Sequence, residues 1–417
     1  MKEFLSKRGQ SLVKDMSPLM HADFSTRGDL YNPETNPDGH INFGTAETHL
    51  INKEVLALLY KIQTRMELKP KHIHYDFFNG SIEFRSAIAE YWQKVIFEKD
   101  SNRQLTLNNI GLGAGCSIAL EMLATMLGDP GDVFLIPTPY YSGFVDDIHD
   151  RAGIEPVGVH CSIDLPKAPF EAALAEQKKL GKTVRAVLFS SPNNPVGTVY
   201  NPEAVRNLIS FCMENNLDLI SDEIYAQTIH DSNAKWNSTL SLVPNEYLQR
   251  VHVTSSFAKD FALSGLRTGF VISFNTDMLK GMEGLAYYSA VSTHTQAVLT
   301  QLLKAPETPS IIQKNREQLR ASYELMKSSL KDMGIETMPA QGGIFIFANF
   351  SDYMEKVEFK EEFSLWEKIF GELKVNISPG QLFDAEKPGW FRICYAQDPK
   401  VVSEACSRLK KLKKVRG

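Results

Sequence analysis

From about Leu107 to Phe274, short apolar runs alternate with longer stretches whose apolar residues recur at helical spacing. That alternation is expected of strands buried on both faces and joined by amphipathic crossover helices, so it points to a mostly parallel sheet in an α/β unit. The pattern predicts strands at residues 109–112, 133–137, 186–190, 218–221, 251–255 and 269–274. Residues 117–127 read as a buried helix, with Ile118, Leu120, Met122, Leu123, Met126 and Leu127 apolar and Gly128-Asp129-Pro130 ending it. A further helix opens at Asn201, a capping residue followed by Pro202, which suits the first helical position because it has no N–H to leave unpaired. Residues 306–333 are helical and polar, with Arg316, Arg320, Lys327 and Lys331 set among Leu319, Tyr323, Met326 and Leu330, and are expected to bridge two domains. Short strands at 343–348 and 390–396 around a helix near 361–372 predict a smaller α+β unit.

Composition narrows the picture. At 417 residues the chain exceeds what one hydrophobic core usually holds, so two domains are expected. A net charge of −5 gives no general attraction to nucleic acid or to an anionic membrane. The basic run Lys410 to Arg416 reads as a solvated last helical turn, where cations complement the helix dipole. Cys116, Cys161, Cys212, Cys394 and Cys406 are scattered, odd in number and without metal-ligand spacing, which suggests a reducing compartment and no metal site. No apolar run is long enough to cross a bilayer, and the first residues, Met1 to Arg8, lack an apolar signal core, so a cytoplasmic protein is expected.

Candidate chemistry concentrates just past the predicted strand ends, where open sheets bind ligands. Ser256-Phe-Ala-Lys259 leads into Gly265-Leu-Arg267-Thr-Gly269, bringing together a lysine, a serine, an arginine and two glycines. A lysine amine forms a Schiff base with a carbonyl, a guanidinium clamps a phosphate, and glycines allow close backbone approach. A phosphorylated aldehyde, pyridoxal 5′-phosphate, needs all three. Taken alone, Lys259 reads as a surface lysine in an ordinary loop, and the residues around it elsewhere in the chain overturn that reading. Asp222, in Ser221-Asp222-Glu-Ile-Tyr225, can pair with a pyridine nitrogen and keep it protonated, or it can N-cap a following helix. Tyr225 and Asn194 could donate to a ring hydroxylate, although Asn194-Pro195 also reads as a plain turn. Gly113-Ala-Gly115-Cys116-Ser117 enters a helix where a phosphate could sit, or packs there for its own sake. Tyr141 could stack on a pyridine face, or pack on its own loop. Arg392, among alternating apolar residues, needs an anionic partner: a substrate carboxylate or an internal salt bridge.

Together Pro192-Asn-Asn194-Pro-Val-Gly197, Ser221-Asp222-Glu-Ile-Tyr225, Ser256-x-x-Lys259 with Gly265-x-Arg267-x-Gly269, and Phe391-Arg392 closely resemble the fold-type I, class I/II pyridoxal phosphate-dependent aminotransferases. Asn42-Phe-Gly-Thr-Ala-Glu47-Thr-His-Leu50, Pro137-Thr-Pro-Tyr-Tyr-Ser-Gly-Phe144, Ala258-Lys-Asp260 and Ser378-Pro-Gly380 look most like the 1-aminocyclopropane-1-carboxylate synthase branch. The resemblance implies a three-layer, aspartate aminotransferase-like fold. Its divisions would be an N-terminal arm and part of the small domain over 1–50, a large cofactor-binding domain over 51–305 and a small domain over 306–417. It also implies a homodimer with shared active sites, and an amino acid and a keto acid as small-molecule partners. Lys259 becomes the Schiff-base lysine and proton shuttle, Asp222 the ring-nitrogen partner, Asn194 and Tyr225 the hydroxyl donors, and Tyr141 the stacking ring. Arg267, Ser256, Gly115, Cys116 and Ser117 would hold the phosphate, and Arg392 the α-carboxylate, with Glu47, Phe78 and Asn194 at the substrate end.

Two positions depart from the synthases. Phe78 stands where they usually carry a tyrosine, and the segment around Glu47 keeps the acid but changes its neighbours to Thr48 and His49. The expected activity is therefore transamination of an α-amino acid. A lyase of the synthase type acting on S-adenosylmethionine or a related amino acid, and an inactive binding protein of the same fold, are the alternatives.

Overall fold

The computed structural model describes residues 4–97 and 103–415; Met1 to Glu3 and Arg416, which bear on the expectations for the two chain ends, lie outside the described residues. A seven-stranded sheet runs in the order Ile110–Gly113, Gly269–Ser273, Val251–Ser256, Asp218–Asp222, Val184–Ser190, Val133–Thr138, Glu155–His160. All neighbours are parallel except Gly269–Ser273, which is antiparallel to both strands beside it. Strand residues alternate between two apolar layers. Leu135, Val187, Phe189 and Leu219 enter one core with Trp92, Phe257 and Phe270, whereas Phe134, Ile136, Leu188 and Ile220 enter the other with Leu120, Phe144 and Ile148. The period-two side-chain alternation of a strand is what lets one sheet serve both layers.

The six strands expected from the pattern are present with ends shifted by one or two residues. The edge strand Glu155–His160 is one the pattern does not predict. Its Pro156 and Gly158 read as breakers, and an edge tolerates them because only one side must pair. The helix Cys116–Leu127 buries Ala119, Leu120, Met122, Leu123 and Ala124, but Met126 is turned outward and exposed. Asn201 caps Pro202–Asn215 as expected, accepting from the Ala204 N–H at 2.8 Å. The basic run from Lys410 does not form a last helical turn. The final helix ends at Leu409, and Lys410 and Lys414 pair with Asp332 and Asp352.

A second, antiparallel sheet holds Ser378–Pro379, Trp390–Cys394, Phe345–Asn349 and Glu336–Thr337 in that order. Helices Thr308–Asp332, Phe359–Leu373 and Pro399–Leu409 pack a core on it. Residues Ile41–Asn42, far away in sequence, pair in parallel with Val375–Asn376 and bring Phe43 into that core. The long helix Thr308–Asp332 serves both cores: Ile311 and Ile312 enter the large one, and Leu319, Tyr323, Met326 and Leu330 the small one.

Trp92, fully buried, contacts Phe270 edge-on at 4.8 Å and Phe257 at 5.9 Å, under the strand that leads to Lys259. Trp92→Ala should lower stability by about 3–5 kcal/mol, measured as the shift of the chemical unfolding midpoint; a change under about 1 kcal/mol would mean that this contact does not support the large core.

Candidate active site

At the carboxyl edge of the large sheet, register sets the site. Ser190 pairs with Asp222, Asp222 with Thr254, and Ser256 with Gly269, so polar residues at three strand ends line up across the sheet. A cavity opens there. It is lined by Gly115, Cys116, Ser117, Tyr141, Asn194, Asp222, Tyr225, Ser256, Lys259 and Arg267, ten residues singled out from the sequence.

Lys259 sits on the short helix Phe257–Asp260, which Ser256 caps by accepting from the Ala258 N–H at 3.1 Å. Phe257 is buried in the large core, and this anchors the turn while Lys259 lines the cavity. The lysine amine donates to the Ala46 carbonyl. Burial lowers its pKa, with the Glu47 charge opposing. It is therefore no ordinary surface lysine. Asp222, 5% exposed, accepts from the Ile224 N–H at 3.2 Å and the Thr254 hydroxyl at 3.3 Å. The first of these bonds closes a turn rather than capping a helix, and the carboxylate lines the cavity. Burial pushes its pKa up to about 6. The Cys116 thiol lies 3.8 Å from the same carboxylate oxygen, and burial pushes that thiol up as well.

Two glycines bring Arg267 and the start of the helix Cys116–Leu127 together. Gly115 has φ +100°, and a Cβ there would sit 2.6 Å from Arg267 Nη2; a Cβ on Gly269 would sit 2.4 Å from the Gly115 carbonyl carbon. Larger residues would part the exposed Arg267 from the start of the helix Cys116–Leu127. The first turn of that helix leaves N–H groups without intrahelical acceptors. The glycines thus do more than pack the turn. Tyr141 and Tyr225 are held edge-on by Phe144 at 5.4 Å and Phe345 at 5.3 Å. In the loop after Val184–Ser190 the labour is divided. Asn193 makes the turn by accepting from Val196 N–H at 3.1 Å, and the Asn194 side chain is left to the cavity.

Arg392, 5% exposed on the strand Trp390–Cys394, reaches that cavity wall from the small sheet. Its guanidinium donates to Asn194 Oδ1 at 3.0 Å and to the Gly44 carbonyl at 2.6 Å, and lies 4.7 Å and 4.6 Å from the ring centres of Phe345 and Phe383. Its Nε is buried without a partner. Among the described residues it meets no carboxylate, so the internal salt bridge is not formed. Glu47 stands just behind the wall, accepting from the hydroxyl of Ser264, which lines the cavity; Glu47 itself lines an adjoining cleft with Asp23 and Thr45. Phe78 lines no part of the cavity in the single chain and packs edge-on against Tyr287 at 4.9 Å and Tyr75 at 6.0 Å. One acidic lining residue escapes the sequence reading. Asp147 belongs to an acid-rich helix whose neighbour Asp146 merely pairs with Lys14, and nothing in the pattern separates the two.

Comparison with known proteins agrees with this geometry. The family profile for class I and II aminotransferases matches residues 50–409. The chain is 31% identical over 384 residues to 1-aminocyclopropane-1-carboxylate synthase 7 of Arabidopsis thaliana, covering 88% of this chain and 85% of that one. It is 32% identical over 413 residues to synthase 6 of Oryza sativa subsp. japonica, covering 94% and 75%. An aspartate aminotransferase double mutant from Thermus thermophilus superposes with TM-score 0.80 at 21% identity over 99% of this chain and 100% of that one. The aspartate aminotransferase of Rhizobium meliloti gives 0.80 at 22% over 98% of each. With an aspartate aminotransferase-like fold and a profile match over most of its length, the chain belongs to the class I and II aminotransferase family of pyridoxal phosphate-dependent enzymes.

Proposed function

We propose that the protein transaminates an α-amino acid, with Lys259 as the base that moves the Cα proton. The observation that carries this reading is charge without counter-charge. Lys259 and Asp222 line one cavity, Arg392 is bonded to its wall through Asn194, and among the described residues none of the three forms an ion pair. A cofactor with a basic ring nitrogen and a phosphate, followed by a substrate carboxylate, matches the unpaired groups in sign and place.

Asp222, Asn194, Tyr225 and Tyr141 would hold the ring of pyridoxal phosphate, and Gly115, Cys116, Ser117, Ser256 and Arg267 its phosphate. When bound, that cofactor supplies an aldehyde for an amine and a ring that draws off the electrons left on Cα. A cation beside Asp222 lowers its pKa again and keeps the proton on the ring nitrogen. The lowered basicity of Lys259 favours its neutral amine, the form that can act as a base. Arg392 would grip the substrate α-carboxylate, and Asn194, bonded to it, ties that grip to the cofactor wall. Tyr75 at 94% exposed, Tyr287 and Phe77 form an apolar surface beside Phe78 suited to a second copy of the chain, and we place Phe78 at that interface. Among the described residues no helix is long and apolar enough to cross a membrane, and the five cysteines are free, which supports a cytoplasmic setting.

A lyase of the 1-aminocyclopropane-1-carboxylate synthase type is the second reading, favoured by the relatives above and by Glu47 next to Ser264. The phenyl ring at position 78 stands against it.

Mixing the purified protein with a panel of amino acids should convert the cofactor spectrum to its pyridoxamine form; release of methylthioadenosine from S-adenosylmethionine with no such conversion would replace transamination by the lyase reading. Lys259→Ala should abolish exchange of the Cα hydrogen with solvent, a loss of about 10²–10⁴-fold or more, and retained exchange would remove this lysine from the mechanism. Arg392→Gln should lower kcat/KM for amino acids by about 10²–10³-fold, as expected for a broken buried ion pair, while leaving the cofactor spectrum intact; an unchanged kcat/KM would send the carboxylate elsewhere.

A further inference from the structure

Asp147, on the helix Gly143–His149, is the cavity carboxyl that the reading above leaves without a task. It shares the wall with Ser117 and Arg267, two of the groups placed around the phosphate. Other titratable groups face it from every side: Cys116 from the same helix as Ser117, Asp222 from the sheet, Tyr141 from the preceding loop, and Asp146 from its own helix. Asp146 is already paired with Lys14, and among the described residues Asp147 has no ion pair. An ionised carboxylate here would repel a phosphate dianion and work against Arg267. A protonated one would not, and it could donate a hydrogen bond.

We propose that Asp147 is a proton-linked part of the phosphate site: it is protonated when the phosphate is bound, so that binding the cofactor above neutral pH takes up one proton. The inference rests on the pyridoxal phosphate reading. Burial holds the carboxyl up at about 7 before any phosphate arrives, with the charge of Asp222 adding to the shift and Ser117 and Arg267 opposing it. A bound dianion raises it further by like-charge repulsion. The sign follows from linkage. Below about pH 7 the group is protonated in both free and bound protein and contributes no slope; above it the free protein must first take up a proton, and affinity falls by up to about tenfold per pH unit.

The test is the affinity of the cofactor-free full chain for pyridoxal phosphate between pH 6 and 8.5, read by cofactor absorbance, for the unmodified protein and for Asp147→Asn. Titration of Lys259 and of the phosphate itself is common to both proteins, so the ratio of their affinities isolates position 147. That ratio should move in favour of Asp147→Asn by up to about tenfold for each pH unit above 7. Calorimetry in two buffers of different ionisation enthalpy should find up to one proton fewer taken up by the variant at pH 8. Pyridoxal, which lacks the phosphate, should show no such divergence. Asp147→Ala provides the same comparison should the amide variant fail to fold. Parallel pH profiles, or a divergence equally large with pyridoxal, would overturn the inference. Failure of the unmodified protein to bind pyridoxal phosphate at any pH would instead overturn the cofactor reading, and this inference with it.

Discussion

Enclosing a charge without its counter-charge costs several kcal/mol, and this fold does so around a single cavity with an amine, a carboxylate and a guanidinium. The amine of Lys259 and the carboxylate of Asp222 line the cavity and are shifted toward their neutral forms by burial. Arg392 is supported by neutral oxygens and two aromatic faces, with one N–H left over. Such an arrangement is poor as a stabilising network and good as a receptor, because a ligand that brings the complementary charges gains what the empty protein lacks.

Holding those charges in place falls to the parts of the structure that are dry. The parallel strands fix Ser190, Asp222 and Thr254 in one row by register, and a strand buried on both faces cannot slip without reversing its apolar sets. Phe257, fixed among Trp92, Phe261 and Phe270, anchors the short helix that carries Lys259. Gly115 and Gly269 let Arg267 lie against a helix start at a distance no side chain would permit. The cavity borders on the small sheet, from which Arg392 reaches its wall through Asn194.

Asp147 changes how the phosphate end is understood. A helix start, a serine and an arginine attract an anion in any state of protonation, whereas a carboxyl among them makes the attraction depend on a proton. The same side chain lies within the field of Asp222, so the proposed ring and phosphate ends of the cavity are electrostatically coupled.

The sequence by itself determined the α/β layering, six of the seven strands of the large sheet, the capped helix at Asn201 and the ten lining residues, because strand alternation, turn chemistry and short motifs after strand ends are local properties of the chain. The tertiary structure alone decided the rest. The strand Glu155–His160 exists because an edge accepts proline and glycine that a local reading takes for breaks. The partners of Arg392 lie 198 and 348 residues away, and only folding could show that they are neutral. Asp147 differs from Asp146 in what surrounds it, not in what it is, and burial and neighbouring charge are products of packing that no spacing in the chain encodes.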